Sequence, residues 1–252
     1  MKIFNILLLS ILFLGCVENF NGNGNKLNNQ VYKNKQLQKA NILNNQGIDA
    51  YQALKYDTAM VFFLKSLKIK EKFLGVNDLN TATSYNNIGL IYKQQKNIKK
   101  ALLYIGKALS IRKLKLGMES SKTAESYNNL GAIYAQNGDI QKALQLTNKT
   151  IQIKKNIIRK EDIDLAISYN NLAVLNEQLG KYEIALQNYH KALEKNNKIF
   201  GQEHRITQNN YKNIIQLYLS QSQYIKAREY MKFLTKEEET YQLEDIYINA
   251  PQ

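Results

Sequence analysis

One stretch of ten residues recurs along this chain at a fixed interval, and it constrains the fold more than any other feature. Residues 83–92 read Thr-Ser-Tyr-Asn-Asn-Ile-Gly-Leu-Ile-Tyr, and residues 125–134 read Glu-Ser-Tyr-Asn-Asn-Leu-Gly-Ala-Ile-Tyr. The period is 42 residues, and a degenerate copy of the same motif lies at residues 43–47. The tyrosines that repeat at this interval are Tyr85, Tyr127, Tyr169 and Tyr211. A period of this length predicts stacked repeats, each of which buries its apolar face against its neighbours.

Each repeat is predicted to contain two helices that are joined by a short polar break. In the unit that begins at Ala82, apolar or small residues at 85, 88, 89 and 92 have the spacing of one helical face, and the break follows at residues 94–97. The second helix ends where glycine supplies a left-handed cap conformation. The pairs that mark this end are Leu74-Gly75, Leu116-Gly117 and Phe200-Gly201.

These features resemble the tetratricopeptide repeat, and the 42-residue unit is similar to that of kinesin light chains. Small residues, which let the two helices of a unit approach closely, carry much of the resemblance. They are Ala59, Ala101, Ala143, Ala185 and Ala227, with Gly47, Gly89 and Gly131. The resemblance covers residues 36–241 and implies an all-α, right-handed solenoid of about five helix-turn-helix repeats. It also implies that the first helices line a concave face that binds a peptide or a partner protein.

Asparagines recur beside the tyrosines. The resemblance implies that the sixth place of the motif points into the concave groove and hydrogen-bonds the backbone of a bound peptide. The predicted groove residues are Asn45, Asn87, Asn129, Asn171 and Asn213, with their neighbours Asn86, Asn128 and Asn170. Asparagine inside a helix costs about 0.5 kcal/mol relative to alanine, so its retention requires compensation. The alternative is that the chain is rich in asparagine and that duplicated units share it by descent.

The first 16 residues have the pattern of a short secretory signal. Lys2 precedes a mostly apolar run, residues 3–14, that is too short to span a bilayer core. The run ends in Phe-Leu-Gly-Cys, which resembles the lipobox of bacterial lipoproteins. The resemblance implies a signal peptide at residues 1–15, palmitate or a similar acyl chain on Cys16, and a membrane-anchored protein of the bacterial cell envelope, on the periplasmic side or at the cell surface. An ordinary cysteine beside an uncleaved anchor is the alternative.

Two further segments flank the predicted repeats. Residues 16–35 are polar and rich in asparagine and glycine, which predicts a flexible tether. Residues 242–252 form a C-terminal tail, and the stretch 235–252 carries a formal charge of −4 in a chain whose formal charge is +14. The tail either caps the last repeat with a polar face or folds back into the groove as a peptide.

Little in the sequence supports catalysis or a cofactor. The two histidines, His190 and His204, are not spaced as metal ligands, and the sequence contains no nucleophile elbow or phosphate-binding loop. We therefore predict a protein that is not an enzyme and that needs neither a metal nor a cofactor.

The basic charge needs its own explanation. A charge of +14 is compatible with nucleic-acid binding, but a secretory signal would carry the chain away from nucleic acid, so we expect no such partner. Three basic residues recur at the 42-residue period, either to offset helix dipoles or to form a basic edge that faces anionic lipid headgroups. They are Lys70, Arg112 and Lys154.

These observations predict a lipid-anchored scaffold that binds an extended peptide or a partner protein in its groove, in envelope assembly or secretion. One alternative is a structural or surface-exposed lipoprotein that meets its partners through its outer face. Another is an envelope hydrolase.

Overall fold

The computed structural model describes residues 3–157 and 163–234, with side chains from residue 26 onward. Within these residues the regular structure is entirely α-helical and contains no strand. The helices are α1 (Ile3–Gln52), α2 (Tyr56–Leu74), α3 (Leu79–Gln94), α4 (Ile98–Leu116), α5 (Ser121–Gln136), α6 (Ile140–Asn156), α7 (Ile163–Gln178), α8 (Tyr182–Phe200), α9 (Arg205–Ser220) and α10 (Tyr224–Met231).

The chain divides into two compact units, Met1–Gln94 and Gln95–Gln252. In the first unit α1 packs against α2, and α2 packs against α3. In the second unit each helix from α4 to α10 packs against the next one along the chain, and α5 also contacts α7. In the second unit, the first helices α5, α7 and α9 therefore each contact both their own partner helix and the second helix of the preceding repeat.

Helix α1 differs from the sequence-based expectation. The repeats were expected to begin near residue 36, after a flexible tether at residues 16–35, whereas α1 runs without a break from Ile3 to Gln52. No side chain between residues 26 and 39 is fully buried, and Ala40 is the first that is. Residues 26–39 contain neither glycine nor proline, so this polar stretch can be helical although it contributes little to the core.

The sequence-based assignments at the two ends of the chain stay predictions. Among the residues that the structure describes, none of the helices has the length and apolar character needed to cross a membrane. The side chain of Cys16 is not described, and the tail at residues 242–252 lies outside the described residues.

The two helices of each repeat are joined by the same tight turn. One residue of this turn has a positive φ, and it recurs at the 42-residue period. These residues are Leu54 (60°), Lys96 (57°), Gly138 (83°), Gly180 (69°) and Ser222 (57°). Glycine adopts this conformation freely, whereas a side chain there costs about 1 kcal/mol. Three of the five turns are therefore strained.

The glycines that were predicted to end the second helices in a left-handed cap conformation do have a positive φ, but their ψ angles of 164°, 176° and 168° are extended rather than left-handed helical. Gly75, Gly117 and Gly201 follow α2, α4 and α8 with φ angles of 89°, 81° and 84°. The N–H of each glycine donates to the carbonyl four residues earlier, which satisfies one of the last carbonyls of the helix.

The recurring small residues are buried, and two of the glycines lie at close contacts between helices. All five recurring alanines have no exposed surface; they are Ala59, Ala101, Ala143, Ala185 and Ala227. A Cβ atom on Gly47 would lie 2.6 Å from the ring of Phe63, and one on Gly131 would lie 3.1 Å from Thr147 Oγ1. Small side chains at these places therefore allow the helices of one repeat to pack closely.

Candidate functional site

The asparagines of the first helices form hydrogen bonds from one repeat to the next, which we call the asparagine ladder. In each bond the donor is the asparagine at the sixth place of the motif, and the acceptor lies 43 residues earlier, in the first helix of the preceding repeat. The bonds run from Asn87 Nδ2 to Asn44 Oδ1 (3.2 Å), from Asn171 Nδ2 to Asn128 Oδ1 (3.1 Å) and from Asn213 Nδ2 to Asn170 Oδ1 (2.9 Å).

The ladder supplies the compensation that the sequence analysis required for asparagine inside a helix. A hydrogen bond of this kind contributes about 0.5–1.5 kcal/mol, which offsets the poor helix propensity of its donor. The recurrence of asparagine therefore has a structural cause of its own. Any peptide-binding role has to be supported by another observation.

The other predicted groove residues differ in exposure. Asn45 is exposed, Asn129 is half-buried, and Asn86 is buried with only 3 % of its surface accessible. The structure thus brings some of the predicted asparagines to an accessible surface and places Asn86 in the interior. Their contact with a peptide stays a prediction.

The three recurring basic residues are buried, so a basic edge that faces lipid is wrong for them. Lys70 is 4 % exposed, and Arg112 and Lys154 are each 2 % exposed. Each side chain lies between the second helix of one repeat and the first helix of the next. Burial lowers the pKa of Lys70 and of Arg112, and these effects are partly offset by Asp78 and by Glu125 respectively.

Each buried cation is held by polar groups of the following first helix. Lys70 Nζ donates to Ser84 Oγ at 3.2 Å, and Arg112 donates to Ser126 Oγ at 2.8 Å. Arg112 also lies 3.5 Å from a carboxylate oxygen of Glu125. We call these places, where the second helix of one repeat meets the first helix of the next repeat, the junctions.

The third junction follows the same design with different partners. Lys154 Nζ donates to Ser121 Oγ and to Asp164 Oδ2, both at 2.6 Å. Desolvation makes a lone buried charge costly, so these bonds are needed to keep the cation in place.

The fourth junction is neutral. Asn196 occupies the place of the cation, 42 residues after Lys154, and its Nδ2 donates to Asn210 Oδ1 at 2.6 Å. Asn210 occupies the place of the serines, and its Nδ2 in turn donates to Asn170 Oδ1 at 3.2 Å. The fourth junction therefore joins the asparagine ladder through Asn170.

A cleft of about 410 Å³ opens at this junction, between α7, α8 and α9. It is lined mostly by carboxamides: Asn170, Asn196, Asn209, Asn210, Asn213 and Gln216, together with Ile167, Ile206 and Lys212. Asn196 is 3 % exposed, and its Oδ1 is buried without a hydrogen-bond partner. The cleft thus combines accessible carboxamides, two aliphatic side chains at its rim and one cation.

Sequence reasoning identified Asn170 and Asn213 but missed the other carboxamides of this cleft, which are Asn196, Asn209, Asn210 and Gln216. It also missed Asn44, the acceptor of the first ladder bond. Asn196 could have been found by extending the series of Lys70, Arg112 and Lys154 by one more period. The contacts themselves could not have been found, because they depend on how neighbouring helices are placed.

Neither histidine belongs to the cleft. His190 Nε2 and Tyr230 Oη are 2.7 Å apart, and burial lowers the pKa of His190. His204 Nδ1 accepts a hydrogen bond from the N–H of Ile206 at the start of α9. Among the residues that the structure describes, no group of three or more metal-binding side chains is found.

Comparison with known families identifies the repeats. A tetratricopeptide repeat model matches residues 38–114 and 164–232, which is more than half of the chain, and a second one matches residues 123–158. The chain therefore belongs to the tetratricopeptide repeat family, an all-α solenoid class whose repeats present surfaces for protein–protein interaction. No characterised protein sequence shows a significant match to the chain.

Solved structures with the same fold include three that differ in length. BtubC (BKLC) from P. vanneervenii is 24% identical with a TM-score of 0.57, over 64% of this chain and 65% of BtubC. A putative kinesin light chain with TPR-like repeats from Podosopora anserina is 17% identical with a TM-score of 0.62, over 78% of this chain and 93% of that protein. The Rap conjugation gene regulator of plasmid pLS20, in complex with the Phr* peptide, is 15% identical with a TM-score of 0.65, over 76% of this chain and 51% of Rap.

Proposed function

We propose that this protein is an interaction scaffold that binds an extended peptide segment of a partner protein across the first helices α7 and α9. The observation that carries the proposal is the carboxamide-lined cleft of about 410 Å³. Its volume is typical of ligand sites. Carboxamides can both donate to and accept from the backbone of an extended peptide, and the aliphatic side chains of Ile167 and Ile206 can contact its apolar side chains.

The fold supports the same proposal from a second direction. Tetratricopeptide repeats stack their first helices side by side, and this arrangement forms an extended surface. The Rap regulator, which has this fold, is in complex with a peptide. We place the peptide of the present protein over α7 and α9 because the cleft lies there.

The test is a selection of linear 12-residue peptides from a random library on the full-length protein in detergent, followed by measurement of their affinities. Gln216→Arg would obstruct the cleft and is expected to weaken binding at least tenfold. Gln187→Arg, on the exposed side of α8, is the matched control and is expected to have no effect. A selection that yields no peptide would overturn the proposal. Loss of binding in Gln187→Arg alone would instead favour a partner on the outer face.

We further propose that the scaffold is attached to a membrane of the bacterial envelope through lipid on Cys16 and that it serves envelope assembly or secretion. The support is the position of this cysteine at the end of the apolar N-terminal run. Acyl chains contribute about 0.8 kcal/mol per buried methylene, so two or more chains would anchor the protein firmly.

The lipid proposal predicts that Cys16→Ser yields an unprocessed precursor without lipid. Metabolic labelling with a fatty acid, followed by purification of wild type and variant, measures this directly. Equal label in the two proteins would show that Cys16 is not the attachment site, and the N-terminal run would then act as a conventional signal or an anchor.

A further inference from the structure

The fourth junction differs from the other three in that both the buried cation and the nearby acid are replaced by other residues. In the first three junctions a buried cation is accompanied by a nearby acid: Asp78 for Lys70, Glu125 for Arg112, and Asp164 for Lys154. At the fourth junction, the positions that correspond to Asp78, Glu125 and Asp164 by the 42-residue period are occupied by His204, Asn209 and Ile206 respectively. The fourth junction therefore lacks both the cation and the acids of the other three, and its buried polar groups are uncharged.

The fourth junction also contains a hydrogen-bond acceptor that has no donor. Asn196 Oδ1 is buried and has no hydrogen-bond partner, although the Nδ2 of the same side chain is bonded to Asn210 at 2.6 Å. An unpaired buried acceptor costs about 1–3 kcal/mol, and most buried polar groups in proteins are paired. Because Asn196 also lines the cleft, a ligand in the cleft can supply the missing donor.

We propose that the cleft receives the carboxamide side chain of an asparagine or glutamine in the partner peptide, and that Asn196 Oδ1 accepts its N–H. This inference rests on the proposed peptide-binding function and specifies its ligand. Only 3 % of Asn196 is accessible. Contact with its Oδ1 therefore requires a side chain that enters the cleft and a small rotation of the Asn196 carboxamide, while the peptide backbone stays at the rim of the cleft.

The other classes of side chain fit less well. A lysine or arginine would enter a cleft that has lost the acids of the other junctions and that is lined by Lys212, so its charge would be uncompensated. A carboxylate would direct a negative oxygen at Asn196 Oδ1. An aliphatic side chain would leave that oxygen unpaired.

A carboxamide also matches the rest of the lining. Asn170 Oδ1 accepts from both Asn210 and Asn213, so that oxygen is already occupied within the protein. The side chains of Asn209 and Gln216 are exposed and carry both donors and acceptors. A ligand carboxamide, which has two N–H donors and one carbonyl, can bond to Asn196 and to one of these rim residues at the same time.

The test is a double-mutant cycle on a peptide that was selected on wild-type protein and contains asparagine or glutamine. One change is Asn196→Leu in the protein, and the other replaces the peptide carboxamide by leucine. We expect each single change to weaken binding about tenfold, and the second change to cost little once the first is present. Additive losses would overturn the inference, as would selected peptides that consistently carry lysine or arginine.

A second variant tests the inference without removing a polar group from the junction. Asn196→Lys with Asn210→Ser reproduces the pair of Lys70 and Ser84 and supplies the cation that the other junctions have. We expect it to abolish binding of the carboxamide peptide, with a thermal melt that shows a folded protein. Unchanged binding would overturn the inference. If no peptide binds wild type at all, the proposed function itself fails, whereas peptides that bind independently of Asn196 overturn only this inference.

Discussion

At the scale of single residues, the buried cations show how much one side chain contributes to the contact between repeats. Arg112 is 2 % exposed and bonds to Ser126 Oγ and to the carbonyl of Lys122. Its removal would leave a cavity and two acceptors without this donor, whereas Glu125 would keep its ion pair with Lys122 at 2.9 Å. Sequence hydropathy places arginine at the surface, so only the structure reveals this role.

We predict that Arg112→Ala lowers the free energy of unfolding by about 3 kcal/mol, because it opens a cavity and removes the donor to Ser126 Oγ and to the carbonyl of Lys122. Arg112→Lys should cost less, because Lys70 and Lys154 occupy the same place in other repeats. Urea denaturation of the three proteins measures the difference. Lys113→Ala, at an exposed neighbour, is the control, and a comparable loss there would argue against a special role for Arg112.

His190 gives the protein a predictable response to acid. Burial lowers the pKa of His190 below its ordinary value of 6.5, so the folded protein resists protonation at a pH where the unfolded chain accepts a proton. The free energy of unfolding should therefore fall as the pH decreases from 6.5 to the lowered pKa. His190→Gln should flatten this part of the curve, as measured by urea denaturation at several pH values.

The control for this experiment is Gln187→Ala, at an exposed position of α8 that carries no titratable group. It should leave the slope as it is in wild type. A slope that persists unchanged in His190→Gln would contradict the assignment.

At the scale of elements, the turns between paired helices combine a fixed geometry with variable sequence. The positive-φ residue is glycine in two repeats and carries a side chain in three. We predict that Lys96→Gly raises the free energy of unfolding by about 1 kcal/mol and that Gly138→Lys lowers it by a similar amount. Lys107→Gly, at an exposed position in the middle of α4, should lower it by about 1 kcal/mol. A loss of stability in Lys96→Gly as well would show that the turn is not strained.

Most element boundaries could be predicted from the sequence, and the exceptions have identifiable causes. The polar break predicted at residues 94–97 is confirmed, since α3 ends at Gln94 and α4 begins at Ile98. Both turn and cap signals are local, so they can be recognised in the chain itself. The continuation of α1 through residues 16–35 has no such local signal, because asparagine-rich sequence is compatible with either a helix or a tether.

The candidate site was less predictable than the helices. The recurrence of asparagine was evident, but its bonding partners lie 43 residues away and depend on the spacing of neighbouring helices. The burial of Lys70, Arg112 and Lys154 was not evident from their charge. The cleft follows from a departure from the repeat pattern at Asn196. The 42-residue period shows this departure in the sequence, but its meaning depends on the burial of the cations at the other junctions.

At the scale of the whole molecule, the repeats predict that the cost of a core substitution depends on its position along the array. Ala143 lies in α6, which packs against both α5 and α7, whereas Ala227 lies in α10, which packs against α9. Ala143→Leu should lower the free energy of unfolding by about 1–3 kcal/mol, which is typical of overpacking. Ala227→Leu should perturb fewer neighbours and cost less.

Thermal melts of the two variants measure the difference, with Gln141→Leu as a control at an exposed position of α6. A larger loss for Ala227→Leu than for Ala143→Leu would contradict the proposed register of the repeats.

The asparagine ladder also bears on how such a chain changes length in evolution. The fourth repeat carries both the donor that bonds to the preceding repeat, Asn171, and the acceptor that serves the following one, Asn170. An in-frame duplication of one 42-residue unit would therefore bring both halves of its own contacts and need no compensating substitution elsewhere. Deletion of a whole unit would likewise rejoin a donor with an acceptor of the same type. Genes for this protein in related organisms are accordingly expected to differ by whole units, with insertions of other lengths confined to the turns.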